Sequence, residues 1–507
     1  MTSHADTPSP QDPSPAGQSA PHTPSPHATG LLTRIEDRTA VVGVIGQGYV
    51  GLPLGLVFVN AGFRVLGFDV DSEKVARLER GDSYIRHIGP ERVAQARSGE
   101  HTAGGPRFTP TTDFDRLAEC DAVLICVPTP LGPHREPDLS YVFGTTREIA
   151  ARLHPGQLVV LESTTYPGTT EEELRPLLEE TGLRTGAGGS AGAGAHGTAG
   201  GSVGAHPPAQ NAGGSVGAGA HPPAQNDFFL AFSPEREDPG NPHFSTHTIP
   251  KLVGGVDPES TQVAAALYRA AVQQVVPLSS SRVAEAAKLL ENIYRSVNIA
   301  LVNELKMTFE PMGIDIFEVI EAAKTKPFGY QPFYPGPGLG GHCIPLDPFY
   351  LSWKASDYGQ WTRFINLAGE INHRMPSWVV NKVVEALNQD GKSLKGARVL
   401  VLGLSYKPDI DDDRESPSYE IIELLQKGEA DVAYCDPYFP ETRPGRRHDV
   451  GLRSMPLSAE EFGRYDCLVL STAHREFMEP ALYAETPLVV DTRGAVQPGW
   501  GPRVVRG

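Results

Sequence analysis

The stretch Pro335-Gly336-Pro337-Gly338-Leu339-Gly340-Gly341 contains four glycines; His342 and Cys343 come next, and Asp347 stands four residues beyond the cysteine. Glycines let a backbone approach a ligand closely, and a thiol presented on such a backbone can attack an electrophilic carbon. Read alone, the segment is also compatible with a glycine-rich turn holding a buried cysteine. Lys288 and Asn292 are spaced four apart and share one face of a helix. Their neighbours are largely apolar, so a cation there needs a reason. A lysine and an amide pointing together could stabilise an oxyanion; an interdomain salt bridge is the plainer alternative.

Other groups suited to chemistry sit where strands end. Gly46-Gln47-Gly48-Tyr49-Val50-Gly51 follows the apolar run Thr39-Ile45 and opens a helical pattern. This is the context of a dinucleotide-binding turn, with the pyrophosphate on the helix N-terminus. Asp69 closes the next strand, where an acid hydrogen-bonds the adenosine ribose and favours NAD over NADP. Thr129, in Cys126-Val127-Pro128-Thr129-Pro130, could contact cofactor or water, or the prolines could simply end a strand. Glu162-Ser163-Thr164-Thr165-Tyr166-Pro167-Gly168 offers hydroxyls that can cap a helix and touch cofactor at once. In Ser233-Pro234-Glu235-Arg236-Glu237, Glu235 is a candidate base and Arg236 a candidate phosphate or carboxylate ligand, against the alternative of a solvated loop. Lys407 and Arg414, in an acidic loop without GxGxxG, are suited to phosphate.

The elements that must position these groups form two α/β units. Apolar strands alternate with helical patterns at Thr39-Ile45, Arg64-Asp69, Ala122-Val127, Leu158-Glu162 and Phe228-Phe232, and again at Arg398-Leu402, Asp431-Tyr434, Cys467-Leu470 and Leu488-Val490. Between them Val283, Ala286, Ala287, Leu290, Ile293, Val297, Ala300 and Leu301 recur at helical spacing, predicting one long helix from Ser281 to about Glu310 that acts as a spine between domains or subunits. The expected fold is two Rossmann-like parallel sheets joined by that helix. About residues 1–35 read as a structureless tail, 36–280 as the first α/β unit with the dinucleotide turn, 281–390 as a central helical unit and 391–507 as the second α/β unit. A Gly/Ala/Pro-rich tract at about 185–226, with a near-duplicate segment, reads as an insertion.

A 507-residue chain with 39% hydrophobic and 21% charged residues folds as ordinary globular protein, and a net charge of -17 argues against nucleic acid or an anionic membrane as main partner. Five scattered cysteines without CxxC spacing fit free thiols in a reducing, cytoplasmic setting and predict no metal site. No apolar run reaches the length of a membrane span, and the N-terminus lacks the core of a signal peptide.

Together these motifs resemble the UDP-glucose/GDP-mannose dehydrogenase family of NAD-dependent nucleotide-sugar 6-dehydrogenases, over about Val41 to Gly494 apart from the insertion. Ser233-Pro234-Glu235-Arg236 together with Gly341-His342-Cys343-Ile344-Pro345 looks most like the branch acting on UDP-N-acetylglucosamine. The resemblance implies two oxidations at one site, with Cys343 as nucleophile, Lys288 and Asn292 as oxyanion stabilisers and Asp347 as partner for water or Lys288. It implies that Thr129 and Glu235 position the hydrolytic water, that Lys407 contacts the nucleotide sugar and that Arg414 reaches the cofactor. Lys74 and Thr165 join the cofactor set, and Arg236, Tyr334, Gly338 and Gly340 the substrate set. The resemblance also implies that residues 36–280 bind NAD, that 281–390 dimerise, that 391–507 bind the UDP-sugar, and that the protein is a homodimer or larger homo-oligomer. UDP-glucose and UDP-N-acetylmannosamine are alternative substrates, and a non-catalytic nucleotide-binding protein is the alternative outside enzymes.

Overall fold

The computed structural model describes residues 24–85, 88–99, 106–132, 136–186, 226–237, 244–341, 344–442 and 448–507. Cys343, the extreme N-terminus and most of the Gly/Ala-rich tract lie outside these residues.

The first sheet contains β1 (Val41–Ile45), β2 (Arg64–Phe68), β3 (Phe108–Thr111), β4 (Ala122–Ile125), β5 (Leu158–Leu161), β6 (Phe229–Phe232), β7 (Lys251–Gly255) and β8 (Val275–Pro277), in the order β3-β2-β1-β4-β5-β6-β7-β8. Most of its central strands are buried along their whole length, which is why they read as unbroken apolar runs. β1 to β6 are parallel, but β7 pairs antiparallel with β6 and β8 follows β7, so the parallel sheet expected from sequence ends in a reversed pair. The second sheet contains β9 (Arg398–Leu402), β10 (Asp431–Cys435), β11 (Cys467–Leu470), β12 (Leu488–Asp491) and β13 (Arg503–Arg506), all parallel, in the order β10-β9-β11-β12-β13.

Between the sheets runs the spine helix Ser281–Phe309, capped by the Ser280 hydroxyl on Val283 N and packed against the helix Arg363–Gln389. The buried row is Ala284, Glu285, Lys288, Leu289, Asn292, Ser296 and Asn303, whereas Val283, Leu290 and Leu301 from the apolar row face outward. The helix buries its polar side because that side lies over the functional groups of both units.

The N-terminal tail needs a correction. Pro26–Glu36 is a helix, with Ser25 Oγ accepting from Ala28 N and Pro26 at its first position. Ala28, Leu31 and Ile35 are buried, and the helix packs on Pro258–Arg269. Three apolar residues at helical spacing outweigh the Pro- and Ser-rich composition around them. The ends of the insertion are also ordered: Gly186 N donates to Asn226 Oδ1 at 2.7 Å, and Thr185 is buried.

Candidate active site where the two sheets meet the spine helix

The dinucleotide turn lies at the end of β1. A Cβ on Gly51 would stand 1.8 Å from the Gly46 carbonyl oxygen, so the turn requires glycine at that position. A Cβ on Gly48 would meet nothing within 4 Å, which leaves open the space a pyrophosphate needs. Val50 precedes the helix Gly51–Asn60 directly. Asp69 is buried and accepts from the backbone N–H groups of Gln47 and Asp71, with Lys74 Nζ 3.8 Å away. Gln47 itself turns inward, its side-chain amide donating to Val44 O, so this residue meets a cofactor only through its backbone. The Thr165 hydroxyl is buried with no hydrogen-bond partner among the described residues. The turn, the acid and this free hydroxyl fit a dinucleotide.

Four of the groups singled out for chemistry converge on the spine helix. Asn292 Nδ2 donates to Asp347 Oδ2 at 2.6 Å, and Lys288 Nζ donates to the Glu235 carbonyl oxygen at 2.6 Å. Burial pushes the Asp347 carboxyl up to about 7, opposed by the Lys288 charge and the Asn292 hydrogen bond. Asp347 opens the helix Asp347–Asp357, and one turn on, Tyr350 Oη donates to the carbonyl of Thr129. The Thr129 hydroxyl in turn donates to Thr164 O at 2.9 Å, next to Thr165. The spine lysine and amide, the aspartate after the cysteine and the Thr129 strand end are therefore brought together by separate hydrogen-bonded pairs, joined through the spine helix and the helix Asp347–Asp357.

The glycine run is held from several sides. Gly336 N donates to Asn303 Oδ1, Asn303 Nδ2 to Asn372 Oδ1, and Asn372 Nδ2 to Ser296 O, fastening the run to the spine and its neighbouring helix. A Cβ on Gly340 would lie 2.4 Å from Tyr406 Cβ, so only glycine lets the second α/β unit come this close. Gly338 meets Pro417 at the start of the helix Pro417–Lys427. A cavity of about 700 Å³ opens here, bordered by Leu131, Ser296, Gly338, Leu346, Asn372 and Glu415; it adjoins the cluster without being lined by Lys288, Asn292 or Asp347.

Other expected residues are placed differently. The Arg236 guanidinium is engaged by Glu291 at 2.6 Å and by Pro250 O. Tyr334 lies near the surface with its hydroxyl at 2.5 Å from Glu321, away from the cluster. Lys407 follows Tyr406, which packs on Gly340 and Gly341. Arg414 forms a 2.6 Å ion pair with Asp412 and lies over the Tyr49 ring, while its carbonyl accepts from Gly341 N.

Sequence reasoning missed four residues that shape this region. Glu285 stands one turn before Lys288 on the same face, a spacing that could have found it. Its buried carboxylate accepts from Gly168 N, Thr170 N and the Thr170 hydroxyl. Tyr350 stands three residues after Asp347, again at helical spacing. Arg493, beyond the end of β12, is a partly buried guanidinium brought down to about 10 by desolvation; its Nη1 is 2.6 Å from where a Cβ on Gly336 would be. Nothing local marks it. Lys251, the fourth, is a charge opening an apolar strand.

Burial also sorts the thiols. Cys126 is pushed well up, and Cys435 and Cys467 are each pushed up to about 12, so these thiols hold their protons at neutral pH. Asp409, His474 and Glu476 come close enough to share a cation, but His474 Nδ1 accepts from Asp409 N and Nε2 faces Asp436 Oδ2, so both ring nitrogens are occupied.

Residues 40–190 match the NAD binding domain of the UDP-glucose/GDP-mannose dehydrogenase family, residues 282–374 its central domain and residues 400–498 its UDP binding domain. The chain belongs to the UDP-glucose/GDP-mannose dehydrogenase family. Within that family it is similar to the UDP-N-acetyl-D-glucosamine 6-dehydrogenase of Pseudomonas aeruginosa, 33% identical over 86% of this chain and 91% of the relative. The UDP-N-acetyl-D-mannosamine dehydrogenase of Pyrococcus horikoshii is also 33% identical, over 86% and 90%. The solved structure of the Pyrococcus horikoshii UDP-D-ManNAc dehydrogenase superposes with a TM-score of 0.74 at 30% identity, covering 92% of this chain and 98% of that one. As a member of the family, the protein is an NAD-dependent UDP-sugar dehydrogenase, and the glycine turn with Asp69 is the part of this chain that fits NAD. No helix among the described residues is long and apolar enough to cross a membrane.

Proposed function

We propose that the protein oxidises the C6 alcohol of UDP-N-acetylglucosamine to the uronic acid in two successive steps, with Cys343 as nucleophile. The observation that carries this reading is the convergence of Lys288, Asn292 and Asp347 at the segment that continues from Cys343. NAD, when bound, takes up the hydride released at each oxidation. The first oxidation gives the C6 aldehyde. The Cys343 thiolate then bonds to that carbon, and the Lys288 ammonium and the Asn292 amide stabilise the resulting oxyanion. The second oxidation leaves a thioester, which water opens: its oxygen bonds to the acyl carbon as the C–S bond breaks, giving the carboxylate and the free thiol and releasing one proton to solvent. Glu235 and Thr129 hold that water, Asp347 keeps Asn292 in place, and the Lys288 charge favours the thiolate. Lys74, Thr165 and Arg414 complete the cofactor site; Lys407, Gly338 and Gly340 contact the UDP-sugar.

The N-acetylglucosamine assignment draws support from Ser233-Pro234-Glu235-Arg236 and from the Pseudomonas relative; the Pyrococcus relative supports UDP-N-acetylmannosamine as the second reading. In this reading residues 36–280 bind NAD, 281–390 dimerise and 391–507 hold the nucleotide, with work in the cytoplasm consistent with the free thiols Cys120, Cys126, Cys435 and Cys467. The exposed Val283, Leu290, Tyr294 and Leu301 give the spine helix an apolar face for a second copy of the chain.

The test is NADH formation with NAD and each UDP-sugar, counting NADH per sugar consumed. Two NADH per UDP-N-acetylglucosamine is the expected result, and activity with UDP-N-acetylmannosamine alone moves the substrate. Cys343→Ser should abolish turnover while NAD and UDP-sugar still bind; undiminished steady-state activity in that variant overturns the covalent mechanism.

A further inference from the structure

Lys251 opens β7 with its side chain buried. Its Nζ donates to Glu162 Oε2 at 2.6 Å and to Pro234 O at 3.1 Å, and stands 3.7 Å from Glu235 Oε2. Behind it, Tyr268 Oη donates to the other oxygen of Glu162, and the Tyr268 ring lies 5.4 Å from the ammonium. A buried ion pair contributes little net stability compared with apolar residues of the same volume, so packing alone does not account for this lysine.

Glu235 accounts for it. Its Oε1 accepts from the backbone N–H groups of Arg236 and Glu237, both at 2.6 Å, and its carbonyl accepts from Lys288. Its Oε2 is buried and takes no hydrogen bond among the described residues. One carboxylate oxygen is thus anchored, and the other, facing Lys251, is left to exchange a proton with a ligand.

We propose that Lys251, shared between Glu162 and Glu235, is a positioning residue that fixes the free oxygen of Glu235 for hydrolysis of the Cys343 thioester. In that step one proton of the attacking water passes to Glu235 and is returned to the departing thiolate. The lysine touches neither water nor substrate; it acts through the carboxylate. The inference rests on the dehydrogenase reading above.

A double-mutant cycle on the full-length enzyme tests it. Lys251→Met should lower kcat by roughly 10- to 100-fold and leave KM for NAD and for the UDP-sugar within about twofold. A rapid pre-steady-state burst of two NADH per site should remain, because both oxidations precede hydrolysis. In a Glu235→Gln background, Lys251→Met should change kcat by less than about twofold, since the residue it acts through is already gone. Effects that multiply across the two backgrounds, or a burst that shrinks in step with kcat, overturn the inference and leave Lys251 a packing residue. If Lys251→Met is recovered unfolded, Lys251→Gln carries the same cycle. A wild-type enzyme that reduces no NAD with any UDP-sugar overturns the dehydrogenase reading and this inference with it; wild-type turnover with multiplicative variants overturns the inference alone.

Discussion

The Arg414 guanidinium lies 4.7 Å from the centre of the Tyr49 ring, so a residue of the second α/β unit covers the dinucleotide turn of the first. The same residue accepts from Gly341 N through its carbonyl, and Asp412 fixes its side chain in a two-bonded ion pair. One side chain and its backbone thereby join the cofactor loop to the glycine run before Cys343. Arg414→Ala should weaken NAD binding roughly 2- to 30-fold, the range of a partly desolvated cation–aromatic contact. Titration of NAD into the purified variant, followed by tryptophan fluorescence or calorimetry, measures it. Lys at this position should restore only part, because an ammonium lacks the planar fork that Asp412 grips.

Asp347 gives the enzyme a pH signature. Its folded carboxyl is raised by burial to about 7, above the ordinary value of roughly 3.9. The folded state therefore holds this proton more tightly than the unfolded one. The stabilisation linked to it is complete below about pH 4 and is lost as pH rises to about 7. Asp347→Asn should flatten the fall in urea midpoint between those limits. If the ionised carboxylate is what orients Asn292, wild-type kcat rises through about pH 7 and the variant shows no such limb.

Glu285 ties the spine helix to the loop after Thr165. Burial raises its carboxyl to about 7, yet three donors converge on it: Gly168 N at 2.6 Å, Thr170 Oγ1 at 2.7 Å and Thr170 N at 2.9 Å. Glu285→Ala leaves buried N–H groups unpaired and should destabilise the fold by about 3 kcal/mol. Chemical denaturation measures the loss, and KM for NAD should rise as the Thr165 loop loosens.

The outward row of the spine predicts self-association. Leu290 is 66% exposed and Leu301 51% exposed in the single chain. Leu290→Glu combined with Leu301→Glu should halve the mass measured by light scattering while far-ultraviolet circular dichroism stays unchanged. An unaltered mass removes this face as the interface.

Elements governed by local spacing were legible from residues alone. The glycines from Gly46 to Gly51, with Asp69 closing the next strand, are a short-range pattern, and the spine helix from Ser281 is set by its periodicity; both formed as expected. β9 and β11 start and end where their apolar runs do. Lys288 and Asn292 share a face because the helix repeat requires it. Composition misled at Pro26–Glu36, where a short amphipathic row is hidden among prolines and serines.

Tertiary structure alone decided which of these residues meet. Glu162, just past the end of β5, Lys251 at the start of β7, Tyr268 on a helix and Glu235 in the loop after β6 adjoin because β5, β6 and β7 are neighbours and β7 is reversed. The rotation of the spine helix was likewise set from outside: its own periodicity allowed either row to be buried, and the polar row went inward because the groups it bonds lie there. Local sequence fixes φ and ψ and which side chains share a face. The contacts of those faces depend on strand order and helix rotation, which are settled by packing between residues far apart in the chain.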